Sequence, residues 1–131
     1  MWTFVGRRKR KVWLWLAVER ASRRLVAWVL GCRGAATARR LWQALPPHYQ
    51  QHTIYYTDQW EAYAKVLPPA AHRSCAKGSG GTSIVEALNC SLRQRCGVLV
   101  RKSCSFSKSL TMHHNRIRLC IEAHNLRITK P

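Results

Sequence analysis

Carboxylates are scarce in this sequence: of 131 residues, five are Asp or Glu against 23 Lys or Arg, a formal net charge of +18. Two of the five sit where their surroundings suit chemistry. Asp58, the sole aspartate, ends the apolar run His52 to Thr57, and α/β proteins place ligands at the carboxyl ends of strands. Glu86 follows a Gly-rich stretch and opens a helical pattern, with Asn89 and Arg93 three and seven positions on and on the same face. Two facing carboxylates in so basic a chain would hold a divalent cation beside a phosphate. Each also has a simpler use. Ser83-Ile84-Val85-Glu86 matches a capping box, and Asp58 ahead of Gln59-Trp60-Glu61 suits a helix cap. Glu19, Glu61 and Glu122 read as solvated surface carboxylates.

The charge points to a polyanionic partner, most simply DNA or RNA. The length suits a single domain over 1–131, and 47% apolar residues with six tryptophans argue against disorder. The longest apolar run, Val12 to Val18, is far short of the roughly eighteen residues of a membrane span. It ends at Glu19-Arg20, so residues 1–30 do not read as a secretory signal. The six cysteines include no Cys-x-x-Cys pair, and without a secretion signal a disulfide framework is not expected. His72 with Cys75, and His113, His114, Cys120 and His124, are explained by amphipathic packing better than by metal ligation.

The elements that must position Asp58 and Glu86 read as follows. Residues 2–6, 12–18 and 24–30 are strands rich in aromatic and β-branched side chains, joined by the short connections GRRKRK and ERASR into an antiparallel meander. The second and third are apolar on both faces and belong inside a sheet covered on both sides. Ala38, Leu41, Trp42 and Leu45 follow helical spacing up to Pro46-Pro47. His52–Thr57 is a fourth strand, Trp60–Leu67 a short helix, and His72–Cys75 a brief fifth strand before the loop 77–81. A long helix is expected over 83–102 and a last one over 109–125. The pattern is α/β with a mixed sheet.

Three ordered blocks resemble insertion-sequence-one family transposases. TDQWEAYAKVLP (57–68) is similar to their second-aspartate segment, GTSIVEALNCSLRQRCGVLVRKSCSFSKSL (81–110) to their glutamate segment, and WTFVG (2–6) to the start of their catalytic domain. The resemblance implies an RNase-H-like mixed sheet: three antiparallel strands, then alternating helices and strands, with helices on both faces. It implies an Asp-Asp-Glu transposase in which Asp58 is the second aspartate and Glu86 the glutamate, both catalytic and both metal-binding. Arg93 matches the basic residue seven positions after the glutamate, and Asn89 the polar one at three.

The implied reaction is phosphoryl transfer with Mg²⁺ or Mn²⁺: cleavage at transposon ends, then attack of the freed 3′-hydroxyl on target DNA. Asn89, Arg93, Arg95, Arg101, Lys102 and Lys108 are the auxiliary, DNA-contacting set, the five basic residues interleaved with Ser103, Ser105 and Ser107, which can also bond phosphate oxygens. Arg7 to Lys11 forms a second basic cluster at an expected hairpin tip. The resemblance also implies self-association as a transposase oligomer and a cytoplasmic, nucleoid-associated setting. The pattern departs from the family in one respect. The first aspartate belongs two or so residues upstream of the aromatic that matches Trp2, ahead of Met1, and neither it nor the family's upstream DNA-end-recognition region is in this sequence. A truncated, inactive fragment is therefore expected, with a non-catalytic DNA-binding remnant as the alternative.

Overall fold

Alternating side chains along the N-terminal stretch build a sheet with two apolar faces. In the computed structural model, which describes residues 1–76, 80–99 and 107–129, β1 (Trp2–Val5), β2 (Arg7–Val18) and β3 (Leu25–Gly31) pair antiparallel in the order β1-β2-β3. Leu14, with Val12, Leu16 and Val18, packs into one hydrophobic cluster, and Trp15, with Trp13 and Ala17, into another. That is the period of two of a strand buried on both sides. A bulge keeps β3 in step. Ala17 opposes Ala27 and Val18 opposes Leu25, so Val26 is the extra residue. Leu25 then joins the first cluster, while Val26 and Ala27 both pack with the second.

Helices cover both faces. On one side, α4 (Ser83–Arg95) and α5 (Leu110–Thr129) bury Leu88, Leu92, Ile117 and Ile121 against Leu14, Leu25 and Leu30. On the other, α1 (Ala35–Ala44) and α3 (Glu61–Val66) bury Ala38, Leu41 and Ala62 against Trp15 and Ala27. Each fully buried Leu or Ile contributes about 1.5–3 kcal/mol. Between α1 and α3 lies α2 (Pro47–His52), opened by a proline whose missing N–H costs nothing there. Gln50 Nε2 donates to the Trp42 and Leu45 carbonyls, at the end of α1.

Several sequence expectations are corrected here. Among the described residues, β4 (Tyr55–Thr57) and β5 (His72–Ser74) form a separate two-stranded parallel ladder, not one mixed sheet with β1–β3. The strand expected over His52–Thr57 begins later, because the turn started by Pro47 takes His52 into α2. GRRKRK is not a hairpin tip. Gly6, at φ +73°, makes the turn and donates its N–H to Ser107 O at 2.7 Å, and Arg7 to Lys11 already lie exposed in β2. The helix expected over 83–102 stops at Arg95. A 3-10 turn over Gly97–Leu99 buries Val98 and Leu99 instead. Arg101, Lys102 and residues 77–79 of the expected loop lie outside the described residues.

One buried histidine ties the chain's ends together. The Thr3 hydroxyl donates to Val12 O at 2.9 Å, so its oxygen must accept the 2.8 Å bond from His113 Nε2–H. Nδ1 of His113 then accepts from the Ser107 hydroxyl at 2.9 Å. This neutral tautomer satisfies all three side chains, which are fully buried. Ser107, expected to be free for phosphate, is therefore occupied. Burial first, and the nearby Arg116 charge second, lower the His113 pKa below its ordinary 6.5. The unfolded chain thus binds this proton more readily than the folded one. Stability is full above about pH 6.5 and falls as the pH drops toward the folded value. His113→Leu should cost about 1–3 kcal/mol by stranding the buried Ser107 hydroxyl, while Thr3 keeps its bond to Val12 O. It should also flatten the pH dependence of urea unfolding between pH 7.5 and 5, a window above the lowered Glu19 carboxyl. An unchanged slope in the variant would exclude His113 as its source.

Candidate active site

Asp58 stands immediately after β4, beside the carboxyl end of its parallel partner β5. Thr57 O accepts Cys75 N–H at 2.8 Å, which holds the two strand ends level. Asp58 Oδ1 accepts Trp60 N–H at 3.0 Å in a local turn ahead of α3. The N-cap of that helix is Trp60 and no side chain caps it, so the helix cap foreseen for Asp58 is not formed. Among the described residues no hydrogen bond engages Oδ2.

Glu86 lies in the first turn of α4, where the helix dipole favours its negative charge. The capping box is not formed. Thr82, not Ser83, is the N-cap, and it makes no side-chain cap bond. The Ser83 hydroxyl instead donates to Gly80 O at 2.9 Å. Glu86 Oε1 accepts from the Thr82 hydroxyl at 3.2 Å, while Glu86 itself remains exposed. Its carboxylate therefore does no capping work at the helix backbone.

Asp58 and Glu86 line one open cavity of about 360 Å³, together with Trp60, Thr82 and Arg33. A larger adjoining cavity of about 450 Å³ is also lined by both carboxylates and adds Asn89 and Met1. The charges are felt nearby: burial first, then Asp58, push the Tyr63 phenol well above its ordinary value, and Arg33 partly offsets them. The remaining expected site residues are spread more widely. Asn89 Oδ1 and Arg93 Nε are buried without a hydrogen-bond partner among the described residues, and Arg93 does not line either cavity. Arg95 and Lys108 are exposed.

Sequence reasoning missed Arg33. Its guanidinium lies 4.0 Å from the Trp60 ring centroid and 4.9 Å from that of Trp13. It also misjudged Glu19, which is half-buried and accepts from Ser22 and, at 2.9 Å, from Tyr49, tying the β2–β3 turn to α2. Glu122 does pair at the surface, with Arg118 at 2.9 Å.

Among the described residues no three His, Cys, Asp or Glu side chains cluster as a metal centre. The donor set at the cavity is nonetheless of one kind. Two hard carboxylates share it, each with one oxygen engaged in a positioning hydrogen bond. Such a pair fits one largely hydrated Mg²⁺-like ion, which keeps several waters and takes one or two protein carboxylates.

No helix among the described residues is long and apolar enough to cross a membrane. The family model described as IS1 transposase matches residues 1–127. The chain is 32% identical over 123 residues to the insertion element iso-IS1n protein InsB of Shigella dysenteriae, covering 94% of this chain and 90% of that protein. It is 38% identical over 112 residues to the insertion element IS1 4 protein InsB of Escherichia coli (strain K12), covering 86% of this chain but 64% of that one. Against the IS1 InsB protein of Shigella flexneri the identity is 37% over 112 residues, 86% of this chain and 82% of the relative. No solved structure matches. With 127 of its 131 residues matched, this chain belongs to the IS1 transposase family.

Proposed function

We propose that the chain is the catalytic domain of an Asp-Asp-Glu transposase with an RNase-H-like arrangement, acting on transposon ends and target DNA. The observation that carries this reading is the convergence of Asp58 and Glu86, the matched family carboxylates, on one cavity at the ends of β4 and the start of α4. Asp58 and Glu86 would hold Mg²⁺ or Mn²⁺, and when bound the ion would polarise the phosphoryl oxygens and stabilise negative charge on the departing oxygen. Asn89 would orient substrate from the adjoining cavity. Arg93, Arg95, Lys108 and the sequence-matched Arg101 and Lys102 would neutralise the DNA backbone. The reaction is hydrolysis at an element end, followed by in-line attack of the freed 3′-hydroxyl on a target phosphodiester. Self-association of transposase subunits on paired ends belongs to the same reading.

A third carboxylate is part of the proposal. Met1 N and O both bond to Leu14, at 3.0 and 2.8 Å, so the chain's first residue continues the β1 pairing and lines the larger cavity. An aspartate carried by an extension ahead of Met1 would enter beside Asp58 and Glu86. The test is strand joining on insertion-element ends. A protein extended by the family's upstream segment should join strands with Mg²⁺ or Mn²⁺ and not with a chelator. The 131 residues alone should not, because two carboxylates under-ligate a two-ion site. Joining by the shorter chain would remove the need for the third carboxylate. The two-carboxylate count also favours a second reading, a non-catalytic DNA-binding remnant, which predicts that the extended protein stays inactive.

A further inference from the structure

We propose that Arg33 grips the phosphodiester of a DNA strand brought to the Asp58–Glu86 cavity. The inference rests on the reading of that cavity as a phosphoryl-transfer site and adds a residue to it.

The loop after β3 is held unusually firmly. Gly31 ends the strand, and a Cβ there would lie 2.7 Å from Thr37 Oγ1, so only glycine lets α1 start this close to the sheet. The indole N–H of Trp15 donates to Cys32 O at 3.0 Å, and that of Trp60 to Arg33 O at 3.0 Å. Two tryptophans thus pin the peptides on either side of the Arg33 Cα. The Arg33 side chain is not needed as a further staple.

That side chain is instead presented for use. The rings of Trp13 and Trp60 both lie near its guanidinium, and a planar cation stacks well against an aromatic face. Stacking consumes none of the five N–H donors, which lie in the guanidinium plane. Among the described residues those donors have no hydrogen-bond partner. Arg33 also shares the cavity with Asp58 and Glu86 without an ion pair to either, since the pair found among the described residues is Arg118–Glu122. An arginine held beside two carboxylates yet bonded to neither is positioned for a ligand.

Charge selects that ligand. Two carboxylates alone would repel an anion, but a divalent cation between them cancels their charge and leaves Arg33 as the residual positive group. A phosphodiester carries one negative charge and two free oxygens that match the guanidinium fork. The neighbouring indoles suit the adjoining nucleotide, whose base can stack on them.

The test is binding of a short oligothymidylate with Mn²⁺ present, followed over a range of salt. Arg33→Ala should weaken binding about 10- to 100-fold, the loss expected of a charged hydrogen-bonded contact. It should also lower the salt slope by about one. Arg33→Lys keeps the charge but not the planar fork, so it should restore the slope and recover only part of the affinity. Thermal unfolding of both variants checks that the fold is intact, and Lys guards against a folding defect in Ala. If Arg33→Ala binds as tightly as the parent with the same slope, the proposal is overturned. It is overturned equally if the parent does not bind the oligonucleotide. If Arg33→Ala weakens binding while Asp58→Asn and Glu86→Gln leave its Mn²⁺ dependence untouched, the grip stands and the metal-site reading fails.

Discussion

Glu86→Gln, placed in the upstream-extended protein, should reduce strand joining by at least about 100-fold while leaving the fold in place. Removing groups that merely orient a metal ligand already costs 10–100-fold, and Glu86 is a ligand in this reading. The stability side follows from the geometry of α4. Glu86 reaches no backbone N–H of the first turn, and its one observed bond, from the Thr82 hydroxyl, can be accepted equally by an amide oxygen. What glutamine forfeits is the favourable charge near the helix N-terminus, about 0.3–1 kcal/mol. Activity and melting temperature should therefore separate. A variant that joins strands normally would reduce Glu86 to a surface residue. One that unfolds would return it to a structural role.

DNA affinity should collapse with salt by roughly 10³- to 10⁵-fold between 50 and 200 mM if six to ten phosphates are neutralised. The structure supplies cations for this. Arg7, Arg8, Lys9, Arg10 and Lys11 are all exposed along β2, as are Arg95 and Lys108. Strand alternation turns Arg8 and Arg10 to one side of the ribbon and Arg7, Lys9 and Lys11 to the other. Among the described residues the cation paired with a carboxylate is Arg118, so no carboxylate neutralises this run, although Lys11 lies 5.0 Å from the Trp2 ring centroid. Arg8→Ala with Arg10→Ala should lower the salt slope by about two, with little change in sequence preference. Titrations across a salt series would measure it. A flat response in the parent protein would remove the electrostatic basis for DNA binding.

The two-faced character of β2 and β3 is legible in the sequence because Trp13, Trp15 and Ala17 alternate with Leu14, Leu16 and Val18. So is the placement of Asp58 and Glu86, since a strand end and a helix start are local patterns. Other features turn on distant partners. The first turn of α2 reads as proline punctuation until Gln50 is seen closing α1. The end of α4 at Arg95 follows from burying Val98 and Leu99, which favours leaving the helix over continuing its period. The capping box fits Ser83 by spacing, but the Ser83 hydroxyl finds Gly80 first. Arg33 carries no local signal at all. Its setting comes from Trp13 on β2 and Trp60 before α3, which sequence does not bring together.

The closure of the sheet by α5 constrains how the chain can be made. Asn125 accepts from Leu25 N–H and donates to Leu25 O, both at 3.0 Å, while His113 reaches Thr3 across 110 positions. The meander is made well before α5, the helix that completes the cover of its Leu14 face. Until α5 follows, that face is covered at most by α4, and closing it requires contacts of very long sequence separation. Such topologies fold slowly and pass through species with exposed apolar surface. The Leu14 face of the sheet is therefore closed only once α5 exists to pack on it, and until Asn125 docks a nascent chain is a natural client for chaperones.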